Sequence, residues 1–106
     1  MLKFDDRGLI PVIVQDVNSS EVVMLGYANK ESLRLTLESG EVWFYSRSRQ
    51  ELWHKGATSG SILKVCAIAK DCDSDAILIR AEPAGPVCHT GNWGCFYENL
   101  KSAEIG

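Results

Sequence analysis

Several things are missing from this chain, and each absence narrows what it can be. Its longest uninterrupted apolar runs, such as Val65-Cys66-Ala67-Ile68-Ala69, fall far below the roughly 20 residues a membrane-spanning helix needs. Its first residues, Met1-Leu2-Lys3-Phe4-Asp5-Asp6, turn acidic at once. They match neither a basic-then-apolar export leader nor an Arg-rich transit peptide, so cytoplasmic residence with no membrane partner is expected. Positive charge is not in excess: 11 Lys and Arg stand against 14 Asp and Glu, a formal net charge of −3. A surface built mainly for nucleic-acid phosphates is therefore not expected. Only 4 cysteines are present, too few for a disulfide-dense scaffold, and without an export signal they point to a metal site or to burial. Pro11, Pro83 and Pro86 lie towards the two ends, and no repeat, low-complexity tract or Gly/Ser linker divides the chain. Residues 1–106 read as a single domain.

What is present is enough for a packed core, with 45% apolar and 24% charged residues. Residues 9–15 and 21–27 are rich in Val, Ile and Leu, and Asp16-Val17-Asn18-Ser19-Ser20 between them predicts a hairpin. Asn29 can cap a following helix, Leu33 and Leu37 share a face at i and i+4, and Gly40 can take the left-handed closing position. Leu33, Leu35 and Leu37 also alternate as a strand would, but the caps at both ends decide for a helix over 30–39. Glu41-Val42-Trp43-Phe44-Tyr45, residues 61–70 and residues 76–82 are β-branched or aromatic and read as strands. Residues 46–60 read as a polar loop, too long for a tight turn and of a length that is often functional. The result is roughly six strands and one short helix, an α+β domain that is mainly β.

Chemistry concentrates in three places. In Asp71-Cys72-Asp73-Ser74-Asp75, an extended backbone would point three carboxylates one way, a hard-cation site for Mg²⁺ or Ca²⁺, with Cys72 on the opposite face. A solvated acidic turn suits the same residues about as well. An EF-hand loop fits Asp71, Asp73, Asp75 and Glu82, yet Ala76 stands where that loop needs Gly. In Cys88-His89-Thr90-Gly91-Asn92-Trp93-Gly94-Cys95, two thiols and an imidazole share a Gly-rich segment. Cys72, Cys88 and Cys95 together can hold Zn²⁺ with one position left for water. His89 can then act as general acid or base, or be a structural histidine, and an irregular loop is needed for it and Cys88 to reach one site. Cys66, inside an apolar strand, is expected to be a small buried hydrophobe. The third place is the loop carrying Ser46-Arg47-Ser48-Arg49, His54, Lys55 and Thr58-Ser59-Gly60. Its cations and hydroxyls suit a phosphorylated metabolite or simply a solvated loop, and His54 lines a pocket or sits exposed.

Taken together, Trp43-Phe44-Tyr45-Ser46-Arg47-Ser48-Arg49, Leu52-Trp53-His54-Lys55-Gly56, Thr58-Ser59-Gly60, Asp71-Cys72-Asp73-Ser74-Asp75 and Cys88-His89-Thr90-Gly91 with Cys95-Phe96-Tyr97 resemble the phosphoribosyl-AMP cyclohydrolases of histidine biosynthesis. The resemblance runs from about residue 10 to 97. It implies hydrolysis of the N1 to C6 bond in the adenine ring of 1-(5-phosphoribosyl)-AMP, giving the formimino-carboxamide ribonucleotide. It also implies Zn²⁺ held by Cys72 of one subunit with Cys88 and Cys95 of the other in a homodimer, and Mg²⁺ held by Asp71, Asp73 and Asp75; His89, as an imidazole beside such a zinc, can shuttle the proton. From the composition of the loop, Arg47, Arg49, Lys55, Thr58, Ser59 and His54 are the candidate substrate contacts. Antiparallel or mixed sheets in a barrel-like sandwich with one short helix are expected. Asn92-Trp93-Gly94 stands where members of that family often carry basic residues and a Ser, so a phosphate or hydroxyl contact is not expected there, while the cysteine spacing is untouched. As the chain ends at Gly106, without the pyrophosphohydrolase domain sometimes fused to this activity, the preceding step is expected from another protein. The competing class is a zinc-stabilised, non-catalytic binding module, which zinc removal would unfold rather than merely silence.

Overall fold

In the computed structural model, which describes residues 1–106, the expected hairpin is formed by β1 (Ile10–Asp16) and β2 (Val22–Ala28). The helix, α1 (Lys30–Ser39), has the predicted ends: Asn29 Oδ1 accepts from Ser32 N–H at 2.8 Å, and Gly40 closes it at φ 75°. Its buried face differs from the expected one. Ser32 and Thr36 are buried, whereas Leu37 is 70% exposed. The Thr36 hydroxyl accepts from Trp43 N–H at 3.0 Å, so polar bonds to the next strand dock the helix together with Leu33, which packs partly buried against the core.

The next two strands, β3 (Trp43–Ser46) and β4 (Glu51–His54), form an antiparallel ribbon. β4 falls inside the stretch read as loop, because four residues with alternating exposure carry little periodic signal. The last strands, β5 (Leu63–Lys70) and β6 (Ile77–Pro83), pair antiparallel, and β6 also pairs parallel to β1. The main sheet therefore runs β2-β1-β6-β5 and is mixed. It stays open, which corrects the barrel-like expectation. The ribbon reaches the sheet's β5 edge through the Glu41–Lys64 bridge, and it meets β2 through side chains. There Gly26 makes the approach possible, since a Cβ would sit 2.7 Å from the Phe44 ring.

Alternation explains the core. Ile10, Val12 and Val14 of β1 and Ile77, Ile79 and Ala81 of β6 point inward and meet Val23, Val42, Phe44, Leu63 and Val87 in one cluster. β5 is the exception, with only Leu63 fully buried. Cys66, expected inside, is exposed, because β5 is an edge strand and the ladder shifts register between Val65 and Ala67. No helix is long and apolar enough to cross a membrane.

Candidate active site

Two segments converge beyond the end of the ribbon. His54 closes β4 directly opposite Trp43, and the two rings stack with centroids 4.5 Å apart at 8°. Its Nε2 lies 2.7 Å from Glu41 Oε1. The adjacent Lys55 is not the exposed loop cation its neighbours suggested: it is 8% exposed, its Nζ donates to Val87 O at 2.6 Å, and it lies 5.5 Å from the centre of the Trp53 ring. Burial pushes its ammonium below the ordinary 10.5, while the nearby Cys95 and Cys88 sulfurs pull it back up. Lys55 thus ties β4 to the cysteine-bearing segment.

That segment is the irregular loop the pairing of Cys88 with His89 demanded. Val87 N–H donates to Trp93 O at 2.9 Å and Gly91 N–H to Cys88 O at 3.0 Å, closing a tight turn. Trp93 Nε1 donates to Asp16 Oδ2 at 3.0 Å, and Cys95 N–H to Val23 O at 2.7 Å. Gly94 packs so close to β2 that a Cβ would come within 3.3 Å of Val23 Cα. Asn92-Trp93-Gly94 is consequently a staple that fixes Cys95 beside Cys88. Thr90 Oγ1 donates to Cys88 Sγ at 3.1 Å and is the chief reason that thiol sits below its ordinary value. Burial, then the adjoining Cys88, pushes the Cys95 thiol up. Two mutually perturbing thiols beside a cation suit thiolate ligation of a soft metal.

A cleft of about 590 Å³ lies between these segments and is lined by His54, Lys55, Thr58, Ser59, Cys88 and His89, among others. Six of the residues singled out from sequence are brought together there. Arg47 is not among them: its guanidinium stacks 3.8 Å from the centre of the Tyr27 ring and lines a neighbouring cleft of about 510 Å³ with Arg7 and Trp53. Arg49 opens onto a smaller depression with Ser46, Glu51 and Trp53. Trp53 borders all three spaces. Sequence reasoning missed Arg7 and Tyr27, which precede the loop by many residues, and Glu41, whose partner is 13 residues away.

The acidic segment is a turn rather than a strand, with Ser74 at φ 62°. Its carboxylates still converge: the oxygens of Asp71, Asp73 and Asp75 lie within 4.8 Å of one another, all on exposed residues. Asp71 loses hydration, which alone would raise it, but the N–H groups of Asp75, Ala76 and Ser74 and a side-chain bond with Asp75 hold it below 3.8. Asp75 is pushed up, first by the hydrogen bond with Asp71 and then by partial burial and the negative charge around it. Because the backbone turns here, Cys72 is an exposed turn residue and does not stand on the far face of a strand. Its sulfur does not join Cys88 and Cys95 within the chain, where the acidic trio alone gathers three potential ligands.

The match to known proteins covers the ribbon, the acidic turn and the cysteine loop: the family model described as phosphoribosyl-AMP cyclohydrolase fits residues 24–97. The chain belongs to the phosphoribosyl-AMP cyclohydrolase family. It is 53% identical over 104 residues to the phosphoribosyl-AMP cyclohydrolase of Archaeoglobus fulgidus, covering 98% of this chain and 96% of that one. The corresponding protein of Lacticaseibacillus casei is 55% identical over 98 residues, 92% of this chain and 89% of that one. The histidine biosynthesis bifunctional protein HisIE of Halalkalibacterium halodurans is 58% identical over 104 residues, 98% of this chain but 49% of that one. The chain thus spans about half the length of the bifunctional relatives it matches.

Proposed function

We propose that the chain is an enzyme of histidine biosynthesis that hydrolyses the N1 to C6 bond of the adenine ring in 1-(5-phosphoribosyl)-AMP, releasing the formimino-carboxamide ribonucleotide. The observation that carries this reading is the cleft in which Cys88, His89, His54 and Lys55 face one space beside the hydroxyl-bearing loop of Thr58 and Ser59. A thiol below its ordinary value next to a second thiol fits Zn²⁺, and three converging carboxylates fit Mg²⁺. Cys88 and Cys95 would hold zinc with Cys72 of a partner subunit, and Asp71, Asp73 and Asp75 would hold magnesium. When bound, zinc supplies a Lewis acid that makes water nucleophilic near neutral pH.

The chain's own groups do the rest. His89 is exposed at the cleft, so its imidazole can exchange protons with solvent and carry one at the reacting ring. Lys55 is fixed on Val87 O, with its amine beside the thiols. Arg47 and Arg49 bind substrate phosphate, as do Thr58 and Ser59 through their hydroxyls. Neither guanidinium has a carboxylate partner within 4 Å, the chain's one such pair being His54 with Glu41. The need for reduced thiols fits cytoplasmic residence. Because one chain brings only two of the three cysteines together, a homodimer completes the set.

The test is conversion of 1-(5-phosphoribosyl)-AMP by the purified protein before and after chelation, with Zn²⁺ and Mg²⁺ restored separately and together. Turnover that disappears on chelation and returns with metal is expected. His89→Ala should keep the fold and both metals yet lose turnover. A folded, metal-loaded protein with no turnover would overturn the reading in favour of a binding module.

A further inference from the structure

The turn that carries Cys88 contains a relay of side-chain hydrogen bonds that the reaction as described so far does not use. Thr90 Oγ1 donates to Cys88 Sγ at 3.1 Å, and Asn92 Nδ2 donates to Thr90 Oγ1 at 3.0 Å. The backbone fixes these residues relative to one another. Cys88 N–H donates to Asn92 O at 3.2 Å and Gly91 N–H to Cys88 O at 3.0 Å, while Gly91 takes φ 92°, a left-handed conformation that glycine adopts without strain. Cys88 and Gly91 line the cleft of about 590 Å³, but Thr90 and Asn92 do not. Both side chains therefore address the sulfur and not the substrate space.

The order of donors has a chemical reason. A threonine hydroxyl has one hydrogen and two lone pairs, and an amide nitrogen can only donate. With Asn92 Nδ2 on a lone pair of Oγ1, the single hydrogen has no acceptor in that amide nitrogen and is left for Cys88 Sγ. A sulfur bound to a metal carries no hydrogen of its own, so it can only accept, and hydrogen bonds to an ionised acceptor are among the stronger ones. Groups that hydrogen-bond a metal ligand orient it and tune the metal. We propose that Thr90 and Asn92 are positioning residues for Cys88 as a zinc ligand: Asn92 aims the Thr90 hydroxyl, and that hydroxyl holds the sulfur in the orientation that takes Zn²⁺. The role rests on the cyclohydrolase reading for the presence of zinc, not for the hydrogen bonds themselves. It also gives Asn92 a task that its backbone bond to Cys88 alone does not require of its side chain.

Zinc affinity reads the relay without substrate, by competition between the purified full chain and a chromogenic chelator at neutral pH with the thiols kept reduced. Thr90→Val keeps the side chain's shape and removes the donor, and should weaken Zn²⁺ binding by about 10- to 100-fold, whereas Thr90→Ser, which keeps the hydroxyl, should stay within about 3-fold of wild type. Asn92→Asp separates the relay from simple electrostatics. A carboxylate can only accept, so it draws the Thr90 hydrogen away from Cys88 and should weaken zinc by about 10-fold or more. An added negative charge acting only through space would instead tighten it. In the Thr90→Val background the hydroxyl that links Asn92 to the sulfur is gone, so Asn92→Ala should cost less than about 2-fold there. Circular dichroism of each zinc-loaded variant checks that the fold is kept. Folded Thr90→Val with zinc affinity within about 2-fold of wild type would overturn the proposal, as would Asn92→Asp that binds zinc as tightly as wild type or more tightly. Either result leaves the cyclohydrolase reading standing. A wild-type protein that binds no Zn²⁺ would overturn the zinc site of that reading, and the positioning role with it.

Discussion

Asp16 shows how much a single buried side chain organises this site from a distance. Asn18 N–H donates to its Oδ1 at 2.9 Å, outweighing the burial that opposes ionisation, and Trp93 Nε1 adds a bond to Oδ2. The folded protein therefore holds Asp16 below its ordinary value of 3.8. The unfolded chain takes up this proton first as pH falls, so the stabilisation is complete above about pH 5 and is lost as pH drops through 3.8 towards the lower folded value. Asp16→Asn should lower stability near neutrality by about 1 kcal/mol and flatten the acid limb of a stability-against-pH curve followed by urea unfolding. Since Trp93 holds the cysteine loop, the same variant should loosen Cys95. Gly56 is the other sensitive position, at φ +83° with the place of a Cβ only 2.3 Å from Ser61 backbone atoms. Gly56→Ala should destabilise by about 2–4 kcal/mol in chemical denaturation, since both the left-handed backbone and the clash resist it. Any residual folded enzyme should show a raised KM, because Thr58 and Ser59 ride on that turn.

Elements differ in how openly the sequence declares them. Helix α1 was legible because its signals are local: Asn29 and Gly40 act within a turn of themselves. Its packing was not, because burial of Thr36 depends on where Trp43 arrives. Thr36→Val keeps the shape but leaves Trp43 N–H, bonded to that hydroxyl at 3.0 Å, without its acceptor. A loss of about 1–3 kcal/mol is expected, measurable as a lowered unfolding midpoint in urea at unchanged m. Strand β4 was hidden because Glu51–His54 is short and polar at both ends, and its pairing with β3 exists only in three dimensions. The same reason concealed Glu41 while His54 stood out: the partnership depends on a ribbon register that no motif encodes. Cysteines and aspartates could be nominated as candidate ligands from residue type and spacing. The shape of their backbone could not, and the acidic trio converges through a turn at Ser74 instead of by strand alternation.

At the scale of the whole molecule, the chain leaves a lopsided surface. Phe96, Tyr97, Leu100 and Ile105 of the tail are 49–75% exposed, β5 is an edge strand covered only at its start by the Glu41–Lys64 bridge and with little of its length buried, and Cys72 stands apart from the two cysteines it would complement. A second subunit would cover apolar area and supply the missing thiol in one step, tying activity to association. Cys72→Ser and Cys88→Ser should each be inactive alone. If zinc ligands are shared between subunits, a heterodimer of the two carries one site with all its native cysteines, from the Cys88 and Cys95 of one subunit and the Cys72 of the other, and one site lacking two. Equal mixing with random reassortment makes half the dimers heterodimers, so about one quarter of wild-type activity should return, and it should fall on dilution below the dimer dissociation constant. The measurement is turnover of the two variants before and after mixing, with gel filtration to confirm exchange. Recovery separates a shared site from one built within a single chain, because a site confined to one chain would stay broken in every pairing.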